Sequence, residues 1–384
     1  MTEKVNPVNV IKYAGAFVAC AIGSGFATGQ EIMQFFTGQG ILSLAGTLVT
    51  TVIFAWIGGL FMKHGYEQQL ENPADIISYY FGKRFGKIAE YIFQIFLFGV
   101  YVIMIAGAGA TLAEYFGINP MIGRVAMAGL AFFTVILGLS KLTDILGSLG
   151  VVIILFAVGI GIYSFAANFA ALPAQAAAIP ALDMTKTQGG WLWSSILYPS
   201  FNAVVVIILA SSLGKGASSA KEAQLSGILG GALFGGAVLA MNLGLMANIK
   251  ELFSMSVPTL ALANRISPVL GVIFSITICC GIYTTTVPML WGNVRQVAKD
   301  GTLKFVLIAL GLTVLGLALG ATDFKKLVNI IYPFSGYAGL ILMGFAAYRE
   351  YGSRRSAAKA SSLAEKSKEA LGVNSSYDQS DIMA

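Results

Sequence analysis

The first apolar segment of this chain contains the stretch ACAIGSGFATGQE, residues 19–31, which interrupts a hydrophobic run. Glycines at positions 23, 25 and 29 lower helix stability there, and the carboxylate of Glu31 follows in the same run. Backbone groups that leave a helix inside a bilayer need other partners or a polar cavity, because the hydrocarbon core holds no water. The stretch therefore predicts a broken membrane helix with a binding site at the break.

The composition indicates that this break lies in a multi-pass membrane protein. Of the 384 residues, 57% are apolar and 11% are charged, and the mean hydropathy is +0.78. Soluble domains of this length are far more polar. Apolar runs long enough to span a bilayer occur ten times, near residues 9–38, 41–62, 87–113, 121–140, 142–170, 191–213, 224–248, 267–293, 303–321 and 326–348.

Several functional classes are excluded by what the sequence lacks. The three cysteines all fall in apolar spans, and His64 is the only histidine, so neither a disulfide framework nor a zinc site is expected. The chain has no phosphate-binding loop and no His-Glu-x-x-His motif. We expect a protein that is not an enzyme, has no cofactor, binds no nucleic acid and needs no obligate protein partner.

The distribution of positive charge predicts the orientation. With ten spans, 18 of the 24 Lys and Arg residues fall on the side of the two termini. Because positively charged loops stay inside, we expect a plasma-membrane protein with both termini in the cytoplasm. Residues 349–384 are predicted to be a polar, disordered cytoplasmic tail, and residues 72–86, which include Asp75–Phe81, a short amphipathic interfacial helix.

A second interruption is predicted five spans after the first. Pro199 removes a helix donor, and Ser200 and Asn202 bring polar side chains to the same depth. Spans one and six then hold corresponding places in two halves, at about 9–170 and 191–348, within a transmembrane domain of residues 1–348. Since five is odd, the second half is inserted upside down, and paired breaks in such a repeat indicate a transport site at the midplane.

The ten-span, 5+5 arrangement resembles the LeuT fold of the amino acid–polyamine–organocation superfamily. The segment GSGFATGQEIMQFF, residues 23–36, is similar to the start of the YkvI-type membrane proteins. The resemblance covers about residues 9–348. It implies an all-α polytopic protein with an inverted repeat, about ten transmembrane helices, and helices one and six broken.

This resemblance implies a sodium site. Sodium-coupled members hold an ion between span-one carbonyls and two hydroxyls of span eight, and no span-five lysine is present here to replace it. The matching ligands are the carbonyls of Ala19, Ile22 and Cys280 or Gly281, and the hydroxyls of Thr284 and Thr285. Alternatively, these threonines only bond their own helix or a neighbouring one. A second sodium site is not expected, because Phe26 stands where its asparagine would be.

The two predicted breaks together suit a zwitterionic solute, which favours a neutral amino acid or a close analogue. N–H groups at the start of the outer half of span one would bind the carboxylate, and carbonyls of both breaks would bind the ammonium group. Aromatic side chains would cap the solute or, alternatively, only pack. The predicted substrate residues are Ala21, Ser24, Gly25, Phe26, Ala27, Tyr101, Tyr198, Pro199, Ser200, Phe201 and Asn202.

Glu31 is the most deeply embedded carboxylate, and such a group costs about 2.5 kcal/mol or more in a bilayer unless it is solvated or paired. We expect it to face an outer vestibule as a gating or proton-transfer group, or else to cap backbone. The predicted function is a sodium-coupled symporter of a small amino-acid-like solute, working by alternating access. A proton-coupled transporter and a ligand-sensing receptor with the same fold are the alternatives.

Overall fold

The computed structural model describes residues 5–71, 74–137 and 143–370. Its secondary structure consists of fifteen α-helices and three short 3₁₀ turns in those ranges. The helices are α1 (Pro7–Ala21), α2 (Ser24–Thr28), α3 (Gln30–Phe35), α4 (Ser43–Gln68), α5 (Asp75–Phe116), α6 (Pro120–Leu137), α7 (Thr143–Ala167), α8 (Leu172–Ala178), α9 (Gly190–Lys215), α10 (Ala220–Met246), α11 (Ile249–Leu252), α12 (Pro258–Ile266), α13 (Pro268–Arg295), α14 (Leu303–Gly320) and α15 (Phe324–Ala370).

The predicted spans all correspond to helical segments. Eight helices of the described chain are long and apolar enough to cross a membrane, namely α4, α5, α6, α9, α10, α13, α14 and α15. Residues Val152–Ala167 of α7 form a further candidate span, bent by 71° against Phe169–Ala181. The helices α1 to α3 cover the first predicted span in three pieces. The chain is therefore a multi-pass, all-α membrane protein.

The helices form two packed groups with a space between them. In one group, α4 packs along α9 and α10, and α1 lies against α10 and α9. In the other, α5 packs on α6 and α13, and α14 lies against α6 and α5. The helix α7 contacts both groups through α10, α1 and α13. This arrangement leaves the broken first span facing α5, α7 and α13.

The predicted break in the first span is confirmed. Ile22 and Gly23 leave the helical conformation, with φ/ψ of −87°/111° and −103°/−178°. The hydrogen bonds of α1 end where Ile22 N–H donates to the Val18 carbonyl, and they resume where Ala27 N–H donates to the Gly23 carbonyl. The last carbonyls of a helix have no partner within it, so the end of α1 presents free acceptors.

The predicted interruption of span six is wrong, because α9 runs continuously from Gly190 to Lys215 with Pro199 inside it. Proline cannot donate to the carbonyl four residues earlier, which is that of Ser195. The Thr50 hydroxyl of α4 donates to this carbonyl over 2.7 Å. Since the freed acceptor has a new donor, the helix continues and offers no unwound carbonyls between Tyr198 and Phe201.

The interfacial helix and the C-terminal segment complete the fold. The chain bends at Gly82, with φ of 77°, which separates the short helix at 75–81 from the long span that follows. The last helix continues to Ala370, where the sequence led us to expect disorder from 349. Glu350 in this extension bonds Lys63 Nζ at 3.1 Å and His64 Nε2 at 3.2 Å. Those contacts join the start of the extension to α4, and Ala, Lys and Glu favour helix in the residues that follow.

Candidate functional site

A cavity of about 730 Å³ lies between the two helix groups, beside the break in the first span. Such a volume suits a small organic solute. It is lined by Ile11, Lys12, Gly15, Ala16, Ala19, Ala21, Ile22, Gly23, Glu31, Val100, Met104, Ile153, Phe201, Asn202, Val205, Leu209, Leu213, Thr284, Thr285, Pro288, Met289 and Tyr332.

The cavity runs from the break to the face of the protein that carries the N-terminus. Lys12 and Ile11, near the start of α1, line its mouth, and Ile11 is 67% exposed. Gly23 lies about 15 Å further along the chain axis, from the helical rise of 1.5 Å per residue. Glu31 marks the deep end, with 4% of its surface exposed.

The opposite side of the cavity is closed by aromatic rings. Phe201 of α9 stacks on Tyr332 of α15, with ring centroids 4.5 Å apart and an interplanar angle of 5°. Behind them Tyr198 packs edge-on against Phe35 and Phe36, at 5.4 and 5.0 Å. The six residues of α3 are all buried. The cavity is therefore accessible from one face of the protein and closed on the other.

Glu31 reaches back from α3 to the break. The Tyr198 hydroxyl donates to Oε2 of Glu31 over 3.2 Å, and Tyr332 interacts with the same carboxyl group. A Cβ atom at Gly25 would overlap this carboxyl, so only glycine leaves room for it. Among the described residues, no Lys, Arg or His side chain forms an ion pair with Glu31. Glu31 thus lines the central cavity, where we had expected an outer vestibule.

The residues predicted to bind sodium line the cavity from two different segments. Ala19 and Ile22 line the cavity from α1, and Thr284 and Thr285 line it from α13. Both threonine hydroxyls donate to the Gly281 carbonyl, at 2.8 and 3.1 Å. That bond uses the hydroxyl hydrogen and leaves oxygen lone pairs for a cation. Cys280 and Gly281 do not line the cavity.

The predicted substrate residues of α9 divide into two sets. Phe201 and Asn202 line the cavity, as does Ala21 of α1. Asn202 Nδ2 donates to the Tyr198 carbonyl over 3.0 Å, which leaves its Oδ1 as an acceptor. Tyr198 does not line the cavity, but it contacts Glu31, which does. The Ser200 hydroxyl bonds its own helix, at the Ile196 carbonyl, and Pro199 does not line the cavity either.

Tyr101 lies on a different face of α5. Its ring stacks on Phe98 at 5.8 Å and packs against Gly316 of α14. The residues that α5 presents to the cavity are Val100 and Met104. Since one residue turns a helix by about 100°, Tyr101 points away from the site although it stands at the expected depth.

The predicted residues of α2 lie just beyond the cavity. Phe26 is buried against Phe234, with ring centroids 5.4 Å apart. The Ala27 carbonyl accepts a hydrogen bond from Thr259 Oγ1 over 2.5 Å. The side chain of Ser24 lies outside the described residues. Apart from Gly25, which holds Glu31, these positions contribute packing around the break.

Tyr332 is the cavity residue that the sequence analysis missed. It is 2% exposed, stacks on Phe201 and contacts Glu31. Tyr332 precedes Pro333 in the last apolar span, and its hydroxyl is a polar group in an apolar helix, which could have marked it as a candidate. Its place opposite α9 depends on how α15 packs, which the sequence does not specify.

Comparison with known proteins agrees with the fold. No protein-family model matches the chain. It is 23% identical over 343 residues to the uncharacterized membrane protein YkvI of Bacillus subtilis, covering 89% of this chain and 96% of that protein. It is 26% identical over 359 residues to the uncharacterized protein YyaD of the same organism, covering 87% of this chain and 94% of that protein.

Three solved structures are similar to the chain in fold. MhsT in complex with L-phenylalanine aligns with a TM-score of 0.59 at 13% identity, over 89% of each chain. A manganese transporter of Eremococcus coleocola gives 0.56 at 15%, over 88% of this chain and 78% of its own. A sodium-coupled sialic acid symporter gives 0.54 at 12%, over 88% and 77%. These likenesses establish the LeuT fold.

Proposed function

We propose that this protein is a sodium-coupled secondary transporter of a small solute that carries an amino group, an amino acid or a close analogue. The observation that carries the proposal is the cavity at the break of the first span, which opens to one face of the protein and is closed to the other. A site with access from one side at a time is what alternating access requires. The similar solved structures, one of them a sodium-coupled symporter, support it.

Sodium would bind between α1 and α13. The carbonyls at the end of α1 and the hydroxyls of Thr284 and Thr285 face the same space. Neutral oxygen ligands of this kind suit a hard monovalent cation. Binding would draw the two helix groups together, because α1 belongs to one group and α13 to the other. The ion would thereby favour closure of the cavity mouth.

The solute would bind deeper, between Glu31 and the aromatic pair of Phe201 and Tyr332. These side chains belong to α3, α9 and α15, so a solute that contacts all three changes how they pack. Separation of Phe201 from Tyr332 would open the closed face. Because both ligands then act on one conformational equilibrium, each raises the affinity for the other. That reciprocity is the basis of coupling.

With ten spans, the side of the N-terminus, where the cavity opens, holds 18 of the 24 Lys and Arg residues. By the positive-inside rule this face is cytoplasmic, and the structure would then represent the inward-open state of a plasma-membrane transporter. Both termini would lie in the cytoplasm. The extracellular pathway would run between α3, α9 and α15, where the aromatic rings now close it.

Proton coupling is the second candidate, and the burial of Glu31 favours it. A carboxyl group that two tyrosines contact in a 4% exposed position can gain or lose a proton with the change of access. Uptake driven by a pH gradient in potassium, and abolished in Glu31→Gln, would establish this mechanism in place of sodium coupling.

The experiment that tests the proposed function uses purified protein in sealed proteoliposomes. Amine and amino acid solutes are supplied outside, with an inward sodium gradient, an inward proton gradient or neither. We expect accumulation above the outside concentration only with sodium. Binding without accumulation under any gradient would identify a ligand sensor instead and overturn the proposal.

A further inference from the structure

The polar atoms that face the deep half of the cavity are mostly hydrogen-bond acceptors. They include the Glu31 carboxyl, the final carbonyls of α1 and the oxygens of Thr284 and Thr285, whose hydrogens are used within their own helix. Asn202 contributes Oδ1, and its Nδ2 donates one hydrogen bond to the Tyr198 carbonyl. The Tyr198 and Tyr332 hydroxyls donate to the Glu31 carboxyl and leave further lone pairs of that group open, so this wall suits a ligand that donates hydrogen bonds.

Glu31 also lacks a positive partner. Lys12 is the other charged residue of the cavity lining, and it stands at the mouth. The described residues contain no group of three or more His, Cys, Asp or Glu side chains that could hold a metal ion. One carboxylate among neutral oxygens matches a single positive charge with several N–H donors, which is the chemistry of an ammonium group.

The carboxyl of Glu31 also takes the place that a zwitterion would need for its own carboxylate. It lies directly over Gly25, at the start of α2, where we had expected the carboxylate of an amino acid to bind. Two carboxylates in contact repel each other, the more strongly as the surroundings exclude water. A solute without a carboxylate beside its amine avoids this repulsion.

The remainder of the deep cavity is apolar. The apolar side chains that line the cavity from α5, α7, α9 and α13 include Val100, Met104, Ile153, Val205 and Met289. Burial of hydrocarbon against these residues contributes about 25 cal/mol per Å². The cavity thus suits an amine with an aliphatic or aromatic body.

We propose that the transported solute is a small primary amine with an apolar body and no free carboxylate beside the amine, and that Glu31 binds its ammonium group. The inference rests on the proposed function and narrows its solute class. Glu31 acts as the carboxylate that an amino acid would otherwise bring. Glu31, which would select the solute, belongs to α3, and α3 lies at the closed face of the protein. Binding of the ammonium group would therefore act directly on the helix that must move for this face to open.

Four probes that share a branched 3-methylbutyl body test this. Isoamylamine keeps the amine alone, L-leucinamide keeps the amine beside a neutral amide, L-leucine is the zwitterion, and 4-methylpentanoate keeps only the carboxylate. Thermal stability of the purified protein is measured with each probe in sodium buffer, since ligand binding to the folded state raises it. We expect stabilisation by the two amines, and at least about tenfold weaker binding of leucine and 4-methylpentanoate.

Variants assign the effect to Glu31. In Glu31→Gln the amines should bind about tenfold or more weakly, because a charged hydrogen bond is lost. Glu31→Asp should retain part of the preference for amines over leucine. The matched control is Glu251→Gln, which neutralises an exposed carboxylate on α11 that pairs with Arg265. Amine binding to the control should equal that of the wild type.

Leucine binding as tightly as leucinamide, amine binding that survives Glu31→Gln, or no binding of either amine would overturn the inference. Stabilisation by manganese in place of the amines would overturn it as well. The proposed function is tested separately by sodium alone: stabilisation by sodium over potassium, without any solute, depends on Thr284 and Thr285. If sodium stabilises the protein while leucine is preferred, the transporter proposal stands and only the solute class is wrong.

Discussion

Two segments of this protein predict broken membrane helices, and only one of them is broken. At residues 19–31, Gly23 lies between α1 and α2 and Gly29 between α2 and α3, and the chain leaves the helix at Ile22 and Gly23. At Pro199, α9 passes straight through. The difference is the partner of the freed carbonyl: Thr50 takes that of Ser195, whereas the end of α1 faces a cavity. A break in a helix provides a binding site when no other group of the protein donates a hydrogen bond to the carbonyls that the break frees.

The largest effect is expected from Gly25→Ala, which acts on the broken helix. The new Cβ would displace the Glu31 carboxyl from its place beside the break. Because a hydrogen bond to a charged group contributes about 1.5–3 kcal/mol, amine affinity should fall by about 10- to 100-fold. Titration of isoamylamine by thermal shift measures it.

The control for this variant is Gly129→Ala in α6, a helix that does not line the cavity, at a position where a new Cβ meets no atom within 4 Å. Its amine affinity should match the wild type. If Gly25→Ala also binds isoamylamine normally, the carboxyl does not need its place over the break.

The next effect concerns the hydroxyls that face the broken helix. Thr284→Ala and Thr285→Ala each remove one candidate sodium ligand, and each should weaken sodium binding by about tenfold. Serine at the same positions keeps the oxygen and should keep most of the affinity. Amine binding should weaken in parallel with sodium binding, because coupling is reciprocal.

Sodium titrations in a potassium background measure these constants. Full sodium dependence in both alanine variants would show that the threonines serve only their own helix, through the bonds to Gly281. In that case α1 and α13 hold no ion between them.

A smaller effect is expected at the continuous helix. Thr50→Val removes the donor to the Ser195 carbonyl while keeping the shape of the side chain. Hydrogen bonds between membrane helices contribute on average about 0.6 and at most about 1.7 kcal/mol, so the variant should lose about 1 kcal/mol of stability. Transport should persist, because the helix is not part of the break.

The smallest effect is expected from Pro199→Ala. The new N–H can donate to the Ser195 carbonyl itself, so stability should stay within about 0.5 kcal/mol of the wild type. In this background Thr50→Val should cost less than it does alone. A double-mutant cycle over the two positions measures the difference, and additive effects would show that Thr50 does not replace the proline's missing donor.

The same comparison shows how far the sequence alone could lead. Composition and the lengths of apolar runs predicted the spans, because those properties depend on each segment by itself, and the LeuT fold followed from the resemblance of the ten-span arrangement to a known family. The break at Gly23 was predictable for the same reason as the spans. The continuity of α9 depends on Thr50, which is 145 residues from Ser195 in the chain. No local pattern reports such a partner.

Within the site, too, the predictions that depend on one segment agree with the structure better than those that depend on how helices pack. Thr284 and Thr285 could be placed opposite α1 by resemblance, and they do line the cavity with Ala19 and Ile22. Tyr101 stands at the expected depth but on another face of its helix. Glu31 was predicted to be a functional candidate from its depth in the membrane, and it lines the cavity. Its return to Gly25 depends on the turn between α2 and α3, which the sequence does not specify.

The most direct test of the whole scheme is sodium-driven uptake of isoamylamine by proteoliposomes that contain the wild type, Gly25→Ala or Thr50→Val. The first variant alters the broken helix and the second alters the continuous one. We predict that the wild type and Thr50→Val accumulate the amine when sodium is high outside, and that Gly25→Ala does not. Equal accumulation by Gly25→Ala, or loss of uptake in folded Thr50→Val alone, would contradict the assignment of the site to the break in the first span.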